Sequence, residues 1–209
     1  MIKVLKIEQI PGYKNSYYVY FDNYTKLRCF TKNIVDFGLR ADLILEDERF
    51  EELKAAVSES NTREIAARLI SRRQMSEKEL EQKLLMKGEP EENVHNAIGW
   101  LREMGALDDG AYASAIVRHY AKKGYGLARI KNEFYRRYIP RELWEEALKQ
   151  MPDCEDVLDR LIAKKLAGTT PDRKALRKVS DMLYRRGFSW DEIRSALSRY
   201  EAGTDWEDI

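Results

Sequence analysis

The chain has 209 residues, enough for one or two ordinary domains, and charged residues make up 35% of it against 44% hydrophobic ones. This balance is typical of a folded, helix-rich protein with a well solvated surface. No stretch approaches the ~20 apolar residues that span a bilayer, and the N-terminus lacks the pattern of a signal peptide, so we expect a cytoplasmic protein. Cys29 and Cys154 lie far apart in the sequence, which favours two inert thiols over a disulfide.

The first 60 residues differ in pattern from the rest of the chain. Runs of β-branched and aromatic residues predict three strands: Ile2–Ile10, Tyr17–Asp22 and Lys26–Phe30. Turn residues between these runs favour a small antiparallel sheet. Thr31 is placed to cap a short helix that Gly38 ends, and a second helix is predicted from about Asp47 to Ser58.

Downstream of Asn61 the pattern is helical, and it recurs. Three segments superimpose without gaps, at offsets of 50 and 49 residues: Ser76–Ile98, Gly126–Leu148 and Ala175–Leu197. Coinciding apolar positions lie four residues apart and therefore share a helix face: Leu80 with Leu84, Ile130 with Phe134, and Val179 with Leu183. A turn position follows, held by Gly88, Tyr138 or Gly187, and the next helix begins at Pro90, Pro140 or Ser189.

Each repeated segment is preceded by a further predicted helix. These three helices are Thr62–Arg72, Asp109–Lys122 and about Glu155–Leu166. The predicted fold is therefore mainly α, with three tandem three-helix repeats in an elongated, curved array, preceded by a small N-terminal β-containing segment. The predicted boundaries are 1–60 for an N-terminal α/β extension, 61–109, 110–152 and 153–200 for the repeats, and 201–209 for an acidic tail.

Positive charge is concentrated in the last two repeats. Residues 110–152 carry 9 Lys and Arg against 4 Asp and Glu, and residues 157–200 carry 11 against 5. Cations near helix C-termini are favoured by the helix dipole, which explains single pairs but not two adjacent basic repeats. We therefore predict a surface that faces a polyanion or an acidic partner. The candidate residues are Arg118, Lys122, Lys123, Arg129, Arg136, Arg137, Lys174, Lys178, Arg185 and Arg186.

Tryptophan and tyrosine side chains raise the possibility of base stacking. Trp144 occupies a repeat position that an aliphatic residue holds in the other two repeats, which favours a place in the core. Trp190 follows a helix cap and is interpreted as a packing residue. Tyr125 and Tyr135 are the better candidates for exposed aromatic side chains.

Catalysis is poorly supported by the sequence, and we predict neither a cofactor nor a metal. The only two histidines, His95 and His119, have no spaced ligand set around them. The segment Lys123–Gly126 is glycine-rich but follows no strand, so it is interpreted as a helix end followed by a helix start, with Gly124 and Gly126 setting the turn. Asp108-Asp109 is interpreted as a helix cap.

Four segments, taken in order, resemble a known family. They are Ser76–Leu84 with Lys87-Gly88, Gly105–Asp109 with Tyr112-Ala113, Lys123–Gly126 with Arg129-Ile130, and Arg186–Ser189 with Ile193. Together they are similar to the three repeats of RecX proteins over roughly residues 61–200, and the first 60 residues resemble the extension of Gram-positive members. Leu127 departs from the pattern, since many members have proline there, and this should alter only the helix start.

The resemblance implies a non-enzymatic modulator of the RecA recombinase. Such proteins lie along the groove of the RecA–single-stranded DNA filament, inhibit ATP hydrolysis and strand exchange, and promote disassembly; some also bind DNA. The expected partners are therefore the RecA filament and both single-stranded and double-stranded DNA, bound by a monomer. The alternative is a DNA-binding module without a RecA role, whose three-helix units act like helix-turn-helix domains with steep salt dependence. An enzyme would need an acid–base pair or cofactor that the sequence does not indicate.

Overall fold

The computed structural model describes residues 1–168 and 171–200, so the predicted acidic tail at 201–209 lies outside the described residues. The chain divides into two compact units, Met1–Leu107 and Asp108–Ile209. Within the described ranges, no helix is both long and apolar enough to cross a bilayer.

The first unit begins with a four-stranded antiparallel sheet in the order β3-β2-β1-β4. Its strands are β1 (Ile2–Gln9), β2 (Ser16–Phe21), β3 (Lys26–Phe30) and β4 (Ile44–Leu45). The three predicted strands are confirmed to within one residue at each end, and the two-residue β4 was not predicted. The inner face packs on the following helices around Val4, Val19, Phe21, Cys29, Phe50, Leu53 and Val57.

Two helix predictions in this region need correction. Helix α1 is Thr31–Asp36, and its N-cap is Phe30 rather than Thr31. The amide N–H of Phe30 donates to the side chain of Asn33 at 2.9 Å, so a later asparagine satisfies this helix start.

The second correction concerns α2, a single helix from Asp47 to Arg72, where the sequence predicts two helices with a break after Ser58. Side chains in the expected break bond backbone carbonyls four residues earlier: Ser60 to Ala56, Asn61 to Val57 and Thr62 to Ser58. The boundary drawn between residues 60 and 61 therefore falls inside α2. The predicted domain boundaries otherwise stay predictions.

The first repeat consists of the second half of α2 with α3 (Glu77–Leu85) and α4 (Glu91–Glu103). Ser76 caps α3, since its hydroxyl accepts a hydrogen bond from the amide of Glu79 at 3.1 Å. The repeat has its own core, formed by Ala66, Met75, Leu80, Leu84, Val94, Ala97, Ile98, Leu101 and Leu107.

The second unit holds the other two repeats. Repeat 2 contains α5 (Asp109–Lys122), α6 (Leu127–Arg136) and a short third helix, in which a 3₁₀ turn at Arg141–Leu143 leads into α7 (Trp144–Leu148). Repeat 3 contains α8 (Cys154–Leu166), α9 (Arg173–Arg185) and α10 (Trp190–Ser198). Both repeats have separate cores, centred on Ile116, Ile130 and Phe134 and on Ile162, Leu183 and Ile193 respectively.

The turn positions have a left-handed backbone in all three repeats, as the sequence indicates for the two glycines and does not indicate for Tyr138. The φ angles are 82° at Gly88, 56° at Tyr138 and 91° at Gly187. The sequence predicts Pro90 and Pro140 at the first position of a helix. In the structure each is instead the N-cap, one residue before the helix begins. The mainly α fold with three three-helix repeats behind a small sheet is thus confirmed, and the elongated, curved arrangement stays a prediction.

Candidate partner-binding surface

Repeats 2 and 3 meet where the turn before α6 lies against the turn before α10. The amide of Gly126 donates to the carbonyl of Arg186 at 2.9 Å, and the amide of Ala128 donates to the carbonyl of Gly187 at 3.0 Å. A Cβ on Gly126 would lie 2.6 Å from the carbonyl carbon of Gly187, and a Cβ on Gly187 would lie 2.7 Å from the Cβ of Arg129. Only glycine at both positions therefore allows the two backbones to approach and bond.

The side chain of Arg186 adds further hydrogen bonds across this junction. Its guanidinium donates to the carbonyls of Lys123 at 2.9 Å and Gly124 at 3.1 Å, and it lies 5.4 Å from the ring centroid of Tyr125. Gly124, at a φ of 74°, brings its carbonyl within reach, while the side chain of Leu161 from α8 closes the space beside it. Arg186 is thus already used inside the protein, although the sequence places it among the partner-contacting cations.

A buried carboxylate organises the arginines of α6. Glu133 is 4% exposed and faces Arg129 at 3.3 Å, Arg136 at 3.5 Å and Arg137 at 3.3 Å. Burial alone would raise the pKa of Glu133, but the hydrogen bonds with Tyr120 and Arg137 outweigh it and hold the pKa below its ordinary value. Glu133 is therefore ionised at neutral pH, and its negative charge offsets part of the positive charge of the three arginines around it.

Arg137 is the most firmly held member of this cluster. Its guanidinium donates to the hydroxyl of Tyr112 at 2.5 Å in addition to its contact with Glu133. Burial would lower the pKa of Arg137, but the hydrogen bonds with Tyr112, Tyr120 and Glu133 outweigh it and raise the pKa. The side chain of Arg136, in contrast, is 70% exposed and only loosely paired. Arg137 is therefore structural, and Arg136 remains available to a partner.

The other six candidates are all exposed to solvent. Arg118 donates to Gln150 at 3.0 Å but is exposed. Five further cations are exposed and have no hydrogen-bonded or ion-paired side-chain partner within residues 1–168 and 171–200. They are Lys122 and Lys123 at the end of α5, and Lys174, Lys178 and Arg185 along α9. The last three recur at helical spacing over roughly 16 Å of the α9 axis and form a cationic stripe that the exposed Asp181, between Lys178 and Arg185 on the same face, interrupts.

The aromatic candidates lie in different environments. Trp144 packs on the core beside Phe134 and donates to the carbonyl of Ile139 at 3.0 Å, as its repeat position predicts. Tyr135 is 71% exposed, whereas Tyr125 is half-buried at the junction, between Tyr120 and the two arginines that lie over it.

Trp190 does not act purely as a packing residue. It is 49% exposed and stacks on Tyr184, with ring centroids 4.9 Å apart and planes inclined by 20°. The repeat register could have indicated this pair, because Tyr184 is the counterpart of the exposed Tyr135.

The other polar features that the sequence raises concern metal binding, helix capping and the two thiols. Within the described ranges, no group of three or more His, Cys, Asp or Glu side chains could hold a metal ion. Asp108 caps α5 by accepting from the amide of Ala111 at 2.8 Å, as predicted. Burial raises the pKa of the Cys29 thiol to about 12, and burial followed by the charge of Glu192 raises that of Cys154. Both free thiols are therefore protonated at neutral pH and poorly nucleophilic.

Comparisons with known proteins agree on one family. Models of the first, second and third three-helix domains of RecX match residues 63–101, 108–148 and 153–197. The regulatory protein RecX of Vibrio parahaemolyticus is 37% identical over 140 residues, which cover 66% of this chain and 90% of that protein. The regulatory protein RecX of Halorhodospira halophila is 31% identical over 150 residues, covering 69% and 91% respectively.

Solved structures share the fold. A crystal structure of a regulatory protein RecX has a TM-score of 0.71 at 22% identity, and the match covers 95% of this chain and all of that one, 100%. RecX from Lactobacillus salivarius has a TM-score of 0.63 at 24% identity, and the match covers 69% and 97%. At these identities the likeness concerns the arrangement of helices and strands.

Proposed function

The chain belongs to the RecX family of regulatory proteins, and on this premise we propose that it regulates the RecA recombinase by binding along the RecA–single-stranded DNA filament. It acts in the cytoplasm as a monomer and without catalysis, and it inhibits ATP hydrolysis and strand exchange. The proposal assigns the filament-facing role to repeats 2 and 3.

One observation supports this assignment: some basic side chains are bonded to groups within the protein, whereas others are not. Arg137 and Arg186 are held internally, whereas Lys122, Lys123 and the cations of the stripe on α9 form no ion pair within 4.0 Å among the described residues. Free cations on a preformed surface can pair with acidic groups or phosphates without first breaking an internal ion pair. The backbone bonds at the junction fix the spacing of these cations before a partner arrives.

The proposed mode of binding is additive. A single exposed ion pair contributes little, so no one lysine is expected to decide affinity. Several such contacts from two rigidly joined repeats add up to specific attachment on a partner whose subunits recur at fixed spacing. DNA within the filament would be a second source of negative charge for the same side chains.

The test is RecA ATPase activity on single-stranded DNA, titrated with the full chain. The quintuple variant Lys122→Ala, Lys123→Ala, Lys174→Ala, Lys178→Ala, Arg185→Ala should require about three- to tenfold more protein for the same inhibition. The matched control is Lys164→Ala with Lys165→Ala, which removes two exposed lysines near the end of α8. It should inhibit like the unmodified chain, and circular dichroism should report equal helicity for all three proteins.

Two outcomes would contradict the proposal. An unmodified chain that leaves RecA ATPase unchanged yet binds DNA with steep salt dependence would favour the plain DNA-binding alternative. Equal inhibition by the quintuple variant and the unmodified chain would remove the assigned residues and leave the family role intact.

A further inference from the structure

The outer face of the N-terminal sheet carries an ordered array of tyrosines and cations. In the central strand β2, Tyr20 is paired with Lys6 of β1 on one side and Lys26 of β3 on the other. Two residues earlier, Tyr18 is paired with Glu8 and with Arg28 in the same way. Because residues two apart share a face of a strand, these six side chains lie on the face opposite the core. We call them the tyrosine face.

The cations lie over the aromatic rings. The Lys26 ammonium is 3.6 Å from the ring centroid of Tyr18 and 5.1 Å from that of Tyr20. The Lys6 ammonium is 4.5 Å from the centroid of Tyr20. These exposed cation–π contacts are weak, so a lysine can leave its ring when a stronger partner comes. The two rings also touch each other edge to face, with centroids 6.4 Å apart and planes inclined by 61°.

The charges on this face favour an anionic ligand. Glu8 is neutralised by Lys6 at 2.9 Å, and the hydrogen bonds with Lys6 and then Tyr20 lower its pKa. Arg28 is 3.9 Å from Glu64, a distance at which the pairing is loose. Lys26 forms no ion pair within 4.0 Å among residues 1–168 and 171–200, although its charge also helps to lower the pKa of Glu8. The tyrosine face therefore presents positive charge that the chain itself does not satisfy.

An open cleft of about 400 Å³ adjoins the array. It is lined by Leu5, Lys6, Tyr20, Phe21, Tyr24 and Thr25. Tyr24 at its rim is fully exposed, and Leu5 is 53% exposed. A planar ring that enters this cleft would contact Tyr20 and the apolar side chains of Leu5 and Phe21, with Lys6 among the lining residues.

We propose that the tyrosine face binds single-stranded nucleic acid. Bases stack on Tyr18 and Tyr20 and a neighbouring base enters the cleft, while Lys6, Lys26 and Arg28 contact the phosphates. Stacking suits this face because every base has a flat π-surface, and a sheet spaces the rings so that successive unpaired bases reach them. A duplex hides its base faces, and an acidic peptide would leave the rings unmatched. The site lies outside the three matched RecX domains and does not depend on the proposed RecA role.

The first experiment measures binding of the full chain to fluorescein-labelled oligothymidylate by fluorescence anisotropy. Tyr18→Leu with Tyr20→Leu should lower the affinity at least about tenfold, because stacking is lost. Tyr18→Phe with Tyr20→Phe keeps both rings and should stay within about twofold. Lys26→Ala should weaken binding and reduce the salt slope by about one. The control Lys87→Ala, an exposed lysine just after α3, should change neither quantity.

A second experiment locates the contact without a substitution. Photocrosslinking of an iodouracil-substituted strand to the full chain, followed by trypsin, should label the peptide Asn15–Lys26. Absence of oligothymidylate binding, equal affinity of the leucine and phenylalanine variants, or crosslinks confined to residues after 61 would overturn the proposal. So would an equally strong competition by duplex DNA or an acidic peptide. If the leucine variant fails to fold, the phenylalanine and Lys26 variants and the crosslinked peptide still decide. Inhibition of RecA by the folded variants is measured separately, so either proposal can fail alone.

Discussion

The turns of repeats 1 and 3 share a sequence signal but serve different purposes. Gly88 and Gly187 occupy the same repeat position, with φ angles of 82° and 91°. A Cβ on Gly88 would meet nothing within 4 Å, whereas one on Gly187 would overlap the backbone of Arg129. The first glycine is needed only for a backbone conformation, and the second also for contact between two repeats. One residue type at one repeat position can therefore have effects of very different size.

The turn of repeat 2 shows that a left-handed backbone does not by itself require glycine. Tyr138 adopts a φ of 56° at this position and is 46% exposed. A side chain is thus tolerated there where the surroundings are open, at some cost in backbone strain. The comparison predicts that substitutions at equivalent turns differ in size according to what lies next to each turn.

The largest effect is expected for Gly187→Ala. The new Cβ combines left-handed strain with overlap against Arg129, so the second unit should lose about 3 kcal/mol or more of its free energy of unfolding. Urea denaturation followed by circular dichroism measures this loss. A loss no larger than that of Gly88→Ala would show that the close approach to Arg129 adds nothing to the backbone strain at this position.

Gly126→Ala should follow, with a loss of about 2 kcal/mol. Gly126 has an ordinary φ of −84°, so this variant tests the close approach to Gly187 without left-handed strain. Hydrogen exchange should also accelerate at the amide of Ala128, whose bond to Gly187 must open. An unchanged exchange rate there would mean that the junction adjusts without opening.

Glu133→Gln tests how much the buried carboxylate stabilises repeat 2, whose turn lacks a glycine. Loss of the buried carboxylate leaves Arg137 without its counter-charge and should cost about 2 kcal/mol at neutral pH. The folded pKa is lowered, so this stabilisation is complete above the ordinary glutamate value of 4.5 and is lost as the pH falls through the folded pKa. The gap between the two proteins should therefore shrink in acid. The exposed pair of Glu146 with Lys149 supplies the control, and Glu146→Gln should change stability by less than about 0.5 kcal/mol.

A smaller effect is expected for Gly88→Ala, about 1 kcal/mol from backbone strain alone. Thermal unfolding of the full chain measures it. The reverse change, Tyr138→Gly, should alter stability by about 0.5 kcal/mol or less, since relief of strain offsets the greater freedom of the unfolded chain. A large loss for either variant would mean that these open turns carry a contact of their own.

The repeat architecture can be predicted from the sequence because it rests on local periodicity. Leu80, Leu84, Ile130, Phe134 and Leu183 are all fully buried, as their spacing indicates. The same reasoning fails at α2, where four of the five residues in Ser58–Thr62 are Ser, Asn or Thr, whose side chains compete with the helix backbone. Their supporting partners include Asn33 and Asn93, which lie 27 and 35 residues away. No local pattern indicates such contacts.

The candidate surface is predicted only in outline. The distribution of charged residues along the sequence identifies the basic repeats, but it does not indicate which basic side chains bond to groups within the protein. Arg186 bonds carbonyls 62 and 63 residues earlier, and Arg137 bonds a tyrosine 25 residues earlier. The spacing of Arg129, Glu133 and Arg137 at intervals of four does indicate one ion cluster in advance. The tyrosine face was missed because strand register, which places Lys26 beside Tyr20, follows from pairing between strands.

Helix α2 joins the sheet to the first repeat as a single shaft. Its early residues Phe50, Leu53 and Val57 belong to the core of the sheet, and its later residue Ala66 belongs to the core of repeat 1. Each residue inserted between these two sets would turn the sheet by about 100° around the shaft and advance it by about 1.5 Å. The effect of an insertion or deletion here therefore depends on its length. Seven residues make about two full turns and return the tyrosine face to nearly its original direction, whereas a single residue rotates it away.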